Sequence, residues 1–341
     1  MGKYTVASLF AGCGGLDLGF RGDFTALGKH YSRRKFDVVW ANELVKDFCL
    51  TYQNYFKHPI VCDDINNVLN TKNYPNPLPE HVDVVLGGFP CQDFSHAGKR
   101  RGFENTKRGL LYQSMMEVIR RTQPVLFVAE NVKGLLTLSN GDAIRTVVED
   151  FKSLGYHVEY HLYLAADYGV PQMRERVMIV GTKIGKLPPF NYPKPILSKS
   201  NWVTCKQALG DLENTAEGGV YNHYWSKAIK NKGQGNGLIS ADKPGPTMRS
   251  EHHGNIEWHW NGNRRLSARE AARIQSFPDD FLFLPSTSSA YKQIGNAVPP
   301  VLAWHVAKAI ENFLDENLQS SEAQISAKSF TTTENLLATA V

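Results

Sequence analysis

Short apolar runs, separated by turns rich in Gly, Asn and Asp, set the rhythm of the first half of the chain. Residues 4–10, Asp37-Val38-Val39-Trp40-Ala41, Ile60-Val61-Cys62, residues 82–86 and Val125-Leu126-Phe127-Val128-Ala129 read as buried strands. Each is short, apolar and bounded by turn residues. Apolar spacing at Leu111, Met115, Val118 and Ile119 predicts a helix over about 110–121, and another is expected over 142–154. Two further strands, near 157–164 and 177–182, are placed to pair antiparallel. Strand–helix alternation up to residue 182 predicts an α/β fold with a doubly wound, mostly parallel sheet.

The pattern changes after Lys183. Pro188-Pro189, Pro193 and Pro195 mark a linker, and residues 187–262 show no clear period. That stretch is rich in Gly, Asn, His, Lys and Trp and reads as a smaller, irregular unit of loops and short strands. Helical signal returns at Ser267–Ile274, where Ser267 and Glu270 have capping-box spacing. A last helix is expected over about 300–314, and the polar residues 318–341 are expected to fray. The expected organisation is one unit from 1–186 with 288–317, a second from 187–287, and a tail from 318 onward. No internal repeat is visible.

Composition narrows the class without deciding it. A chain of 341 residues, 42% hydrophobic and 21% charged, is an ordinary globular protein. No run is long enough to cross a bilayer, and the start enters a strand with no secretory leader. Gly2 invites a myristoylation reading, but Val6 stands where Ser or Thr is needed. Five cysteines (Cys13, Cys49, Cys62, Cys91, Cys205) include no Cys-x-x-Cys pair, so neither a metal site nor a disulfide framework is indicated. A reducing cytoplasm fits that usage. The net charge of +5 permits a polyanionic partner. Lys99-Arg100-Arg101 and Lys107-Arg108 concentrate that charge just after Cys91. A cationic loop beside a thiol suits an anionic substrate, and it equally suits a solvated surface.

The candidate chemistry starts at Gly87-Gly88-Phe89-Pro90-Cys91-Gln92. Cys91 follows a strand's carboxyl end, where α/β folds place their chemistry. Its thiolate is a soft nucleophile, and Pro90 fixes the backbone just before it; the alternative is a buried structural cysteine. Glu130 also ends a strand, so both residues can face one crevice. A carboxyl there can hydrogen-bond a substrate ring, or simply cap a helix. The turn Phe10-Ala11-Gly12-Cys13-Gly14-Gly15 lets a ligand approach the backbone. Asp17 stands where a nicotinamide fingerprint would carry glycine. Glu43 is placed for ribose hydroxyls and Asp64 for an adenine amino group, which implies an adenosine cofactor without a pyrophosphate requirement. Arg174 and Arg176 alternate, as two guanidiniums on one face of a strand or as a surface ion-pair ladder. Tyr291–Pro300 reads as a tight turn that carries polar groups toward the first strand's turn, or as an ordinary loop.

In this order these segments resemble the DNA cytosine-5 methyltransferase family, over about residues 5–182 and 263–308. The carriers are Phe-Ala-Gly-Cys-Gly-Gly, Gly-Phe-Pro-Cys-Gln, Glu130-Asn131-Val132, Gln172-x-Arg174-x-Arg176, Arg264 to Glu270 with Gln275-x-Phe277-Pro278, and Ile294-Gly295-Asn296-Ala297-Val298-Pro299. The resemblance implies a Rossmann-like, S-adenosylmethionine-dependent enzyme. Its cofactor residues would be Phe10, Ala11, Gly12, Gly14, Gly15, Leu16, Glu43, Leu44, Asp64, Ile65, Asn296 and Ala297. Leu44 stands where relatives often carry a larger ring. It implies Cys91, aimed by Pro90, as the nucleophile and Glu130 as the acid, with Arg176 on the ring oxygen and Arg174 fixing the loop. Gln92, Ser95, Lys99, Arg100, Arg101, Arg108 and Thr247 would contact DNA, and 187–262 would be the variable recognition region. The setting it implies is a bacterial modification enzyme: a cytoplasmic monomer acting on duplex DNA, with a restriction endonuclease as genetic partner but no stable complex. Two rivals are a transfer-RNA cytosine methyltransferase and an inactive DNA-binding homologue. Against the first, Cys205 is followed by Lys206 rather than Phe-Thr; against the second, Cys91, Glu130 and Arg176 are all present.

Overall fold

The computed structural model describes residues 4–90, 111–229, 236–250 and 256–318. Its centre is a seven-stranded sheet in the order β5-β4-β1-β6-β7-β9-β8. The strands are β1 Tyr4–Leu9, β4 Phe36–Glu43, β5 Val61–Cys62, β6 Val84–Gly87, β7 Leu126–Val132, β8 Tyr156–Leu164 and β9 Glu175–Lys183. The first five in that order pair in parallel, while β9 runs antiparallel to both β7 and β8. Connections leave β1 toward β4 and β5 on one side, and the chain returns to β6 and β7 on the other. The carboxyl ends of β1 and β6 therefore flank a topological switch point, where such sheets open a ligand crevice.

Side-chain alternation sorts the strands onto two cores. Val6, Val84, Leu86, Leu126, Val128, Met178 and Val180 point into one cluster. Ala7, Leu9, Val85, Phe127, Ala129, Val177 and Ile179 point into the other. Both faces are covered, which is why the central strands read as continuous apolar runs. The helices flanking these strands are α1 Gly15–Arg21, α2 Lys46–Phe56, α3 Ile65–Asn70, α4 Leu111–Thr122 and α5 Asp142–Ser153, the last two where the apolar spacing predicts them.

A hairpin of β2 Phe24–Ala26 and β3 Lys29–Tyr31 was not foreseen. Strands of three residues are too short to show a period, and the turn depends on Leu27 and Gly28, both at positive φ (52° and 73°).

Beyond β9 the chain is irregular, as expected, but its strand content among the described residues is confined to isolated bridges such as Leu238↔Trp258 and Trp258↔Arg265. A short helix, α6 Cys205–Leu209, carries a capping box from Thr204 and Gln207. The Ser267–Glu270 box caps α7 Ala268–Ile274 as the spacing predicted. The expected turn over Tyr291–Pro300 is corrected in its first part: Tyr291–Asn296 are the last part of a helix, α8 Thr287–Asn296, capped by Ser286. Ala290, Tyr291 and Ile294 give it a buried face, and the bend comes only afterwards, at Ala297–Pro299. Residues 300–318 then form α9. Apolar residues of α6, α7, α8 and α9 join the same cluster as β1 and β6, so the irregular region and one sheet face share a continuous core. The expected tail beyond residue 318 lies outside the described residues. No helix among the described residues is long and apolar enough to cross a membrane.

Candidate active site

The turn after β1 is built for a ligand that lies on backbone. Phe10 leaves the strand at φ 54°, an uncommon conformation for a non-glycine residue, and Gly12 (59°) and Gly14 (95°) follow in the left-handed region. A methyl group on Gly12 would meet nothing within 4 Å, so open space lies in front of it. Glu43, at the end of β4, is buried behind this turn. Its Oε2 accepts the Gly12 N–H at 2.9 Å and its Oε1 accepts the Val45 N–H at 2.8 Å. Burial pushes its carboxyl up, and the Val45 and Gly12 amides pull it back down. Leu44 beside it is 62% exposed, an apolar side chain at the rim. Asp64 caps α3, with Oδ1 accepting from Asn66 N and Nδ2 at 2.9 and 3.0 Å. Asn42, buried, donates to the carbonyls of Val61 and Asp63 and so holds this acidic corner beside Glu43. Asp64 is thus a helix N-cap, and among the described residues its Oδ2 accepts no hydrogen bond. Ile65 and Leu16 are buried; Ile65 packs in the core beneath α3. An open glycine cradle, two carboxylates and an exposed apolar side chain fit the adenosine half of S-adenosylmethionine.

Under this turn lies a buried group the sequence had marked only as a missing glycine. Asp17 is fully buried, accepting the Ser8 hydroxyl at 2.7 Å and the Tyr52 hydroxyl at 2.6 Å. Burial raises its pKa against the pull of those two hydroxyls.

The second wall of the crevice is the end of β6 and β7. Gly87 is level with Ala129, so the next residues, Gly88 and Glu130, lie level beyond them. A methyl group on Gly88 would stand 3.2 Å from Glu130 Oε2. Asn131, buried, donates from Nδ2 to the Phe89 carbonyl at 2.8 Å and fixes the segment that leads to the exposed Pro90. Arg176 is opposite Val132 across the β7–β9 ladder, two residues from Glu130, so both side chains rise on one face. Arg176 Nε meets Glu130 Oε1 at 2.9 Å, with both side chains about nine-tenths buried. Burial pushes the Glu130 carboxyl up, and the guanidiniums of Arg176 and then Arg174 oppose it. Cys91, Gln92, Ser95, Lys99, Arg100, Arg101 and Arg108 lie outside the described residues.

Arg174 is not part of a surface ladder: it has no exposed area. Its guanidinium donates to the carbonyls of Met248, Gly295 and Ala297 at 2.8, 2.7 and 2.9 Å. It thereby joins the start of β9 to the irregular region at Met248 and to the bend after α8. Thr247, half-buried, donates its hydroxyl to the Met173 carbonyl at 2.7 Å. Asn296 is exposed at the end of α8, and the bend does approach the first turn as expected. A methyl group on Gly15 would stand 2.4 Å from the Val298 carbonyl oxygen and 3.1 Å from Ala297 Cβ. Sequence reasoning gave no individual role to Asn131, Gln172 or Gln275, all buried: Asn131 bonds the Phe89 carbonyl, and Gln172 and Gln275 bond each other across this junction. A polar residue inside a recognised motif was their only signal. Among the described residues no cluster of three or more His, Cys, Asp or Glu is placed to hold a metal.

A sheet with a glycine cradle after its first strand and a buried acid–guanidinium pair on β7 and its antiparallel neighbour β9 defines a methyltransferase-type α/β enzyme. The family model for C-5 cytosine-specific DNA methylase matches residues 4–238 and 220–312. The chain belongs to that family and is an S-adenosylmethionine-dependent DNA (cytosine-5)-methyltransferase. It is similar to the type II methyltransferase M.NgoFVII of Neisseria gonorrhoeae, 34% identical over 348 residues, covering 93% of this chain and 89% of that protein. Type II methyltransferase M.BsuRI of Bacillus subtilis is 34% identical over 366 residues, covering 94% and 82%. Among solved structures, the Dnmt2 methyltransferase of S. pombe superposes with a TM-score of 0.64 at 14% identity, covering 92% of this chain and 99% of that one. At that identity the likeness shows the fold alone.

Proposed function

We propose that the enzyme methylates one cytosine within a specific duplex sequence through a covalent adduct on Cys91. The observation that carries this reading is the buried Glu130–Arg176 pair, set against the Gly88–Pro90 segment that delivers Cys91. The target base must leave the duplex first, at a cost of a few kcal/mol, roughly that of unstacking and unpairing. Glu130, whose burial favours the protonated form, then shares a proton with ring nitrogen 3 and accepts from the amino group. Arg176 holds Glu130 in place and donates to the ring oxygen. With the ring so polarised, the Cys91 sulfur bonds to carbon 6, and the electron pair displaced makes carbon 5 nucleophilic. S-adenosylmethionine, when bound, supplies the methyl group as an electrophile. Loss of the carbon 5 proton then expels the Cys91 thiolate. Gly12, Gly14 and Gly15 would receive the cofactor backbone-on, Glu43 its ribose and Asp64 its adenine amino group, with Phe10, Leu44 and Ile65 around the adenine.

The basic residues Lys99, Arg100, Arg101 and Arg108, with Gln92 and Ser95, hold the DNA, and Thr247 presents the recognition region. Residues 1–186 with 288–317 serve catalysis, and 187–287 serve recognition and its hinge. The similarity to type II methyltransferases supports a bacterial modification role beside a cognate restriction endonuclease, without a stable complex between them. On the same reading the enzyme works as a monomer in the cytoplasm. A duplex with 5-fluorocytosine at the target tests the core claim, because fluorine cannot leave as a proton. The protein should be trapped on it through Cys91, and Cys91→Ser should abolish both trapping and transfer. An adduct mapped to another residue removes the assignment.

A further inference from the structure

The segment around Thr247 and the cofactor turn both rest on the bend after α8. Ala297 and Val298 lie on Gly15, with the Val298 oxygen 2.4 Å from where a methyl group there would stand. On the other side Gly295 lies under the backbone of Arg249 and Ser250, and a methyl group on it would stand 2.1 Å from the Arg249 carbonyl carbon. Backbone against backbone leaves neither neighbour room to move alone.

A one-way chain of hydrogen bonds crosses the same gap. The Met248 N–H donates to Gln172 Oε1 at 2.9 Å. Gln172 Nε2 donates to Gln275 Oε1 at 2.5 Å, and Gln275 Nε2 donates to the Ala297 carbonyl at 2.5 Å. Neither amide has exposed area beyond 1%. Turning either one over would set oxygen against oxygen or donor against donor in a dry interior, where an unpaired polar group is costly. Both amides are therefore held in one orientation, and the chain of bonds links Ala297 to Met248.

We propose that Gln275 is a positioning residue through which cofactor and DNA tighten each other's binding. This rests on the assignment of the glycine turn to the cofactor and of the segment around Thr247 to the DNA side. Settling of the adenosine half against Gly12–Gly15 presses the bend at Ala297. The amide chain carries that restraint to Thr247-Met248-Arg249, which is then preorganised for DNA. Linkage makes the effect reciprocal: DNA must tighten the cofactor by the same factor. Contact alone does not establish coupling, so the coupling itself is what the experiment reads.

The probe is a short duplex around the cytosine mapped by bisulfite sequencing, with S-adenosylhomocysteine as unreactive cofactor. Trapping of the wild-type enzyme on the fluorinated version of that duplex is recorded first, which tests the site assignment separately. DNA affinity is then measured by fluorescence anisotropy with and without saturating S-adenosylhomocysteine. The wild type should gain about tenfold in affinity, within the usual span of coupling between sites. Gln275→Met, close in size but unable to relay, should bring the gain to about twofold or less while each ligand alone still binds, because only the shared restraint is lost. Gln172→Met cuts the same chain at its other link and should behave alike, which covers the case of one variant failing to fold. A wild type that is trapped normally but shows no gain, or folded variants that keep the full gain, overturns the inference and leaves the site assignment intact.

Discussion

Replacing Arg174 with methionine removes a guanidinium that holds three chain segments together. Among the described residues the Met248 and Gly295 carbonyls have no other donor, whereas the Ala297 carbonyl keeps Gln275. Two buried acceptors are thus orphaned, at about 1–3 kcal/mol each. Part of that is offset, because the buried cation is itself costly: burial, then the like charge of Arg176, push its pKa well down. Its Nε also finds no acceptor among the described residues. The net expectation is a loss of about 2–5 kcal/mol, a large share of the roughly 5–15 kcal/mol that holds a typical protein folded. Urea denaturation followed by fluorescence measures it as a lower midpoint at unchanged slope. Arg174→Lys should recover only part, since an ammonium cannot span three divergent carbonyls as the planar fork does. If Arg174→Met unfolds within about 1 kcal/mol of wild type, the range expected of an inconsequential site, the three contacts do not stabilise the junction.

Two further outcomes follow from the crevice. Gly12→Ala should cost about 1–2 kcal/mol of stability from its positive φ alone, because the protein leaves space for the new methyl group. Calorimetry should show cofactor affinity falling far more than that; near-normal affinity would mean the open space is not the cofactor's. Glu130 should impose an alkaline limit on the rate. Burial, against the opposing charges of Arg176 and Arg174, holds its folded-state pKa above the ordinary glutamate value. Between those two values the folded protein keeps a proton that the unfolded chain has released. Both stability and the population of the acid form therefore decline as pH rises through that window. Glu130→Gln should lower the rate about 10²–10⁴-fold and erase that limb, since an amide does not titrate. A pH–rate profile of unchanged shape in the variant would assign the limit to another group.

Much of the candidate site was legible because its signals are local. Apolar runs of strand length, glycines at a turn and acids at strand ends report on their own few residues. A doubly wound sheet brings the carboxyl ends of its parallel strands to one side, so residues at those ends such as Phe10, Glu43, Asp64, Pro90 and Glu130 are expected at one crevice without any long-range knowledge. The capping box at Ser267 was readable for the same reason. The helix over Thr287–Asn296 was not, because Gly295-Asn296 carries the composition of a turn and only burial of Ala290, Tyr291 and Ile294 makes it helical.

The local order of residues thus determined the sheet, the cradle and the candidate acids. Tertiary structure alone decided what the polar residues between them do. Arg174 could have lain on a surface, and Asp17 could have been solvated, until packing sealed both. Gln172 and Gln275 are 103 positions apart, and no local pattern says that their amides meet. Such pairings are set by how separately formed elements stack and by the cost of leaving any buried donor or acceptor alone, which is a property of the assembled interior.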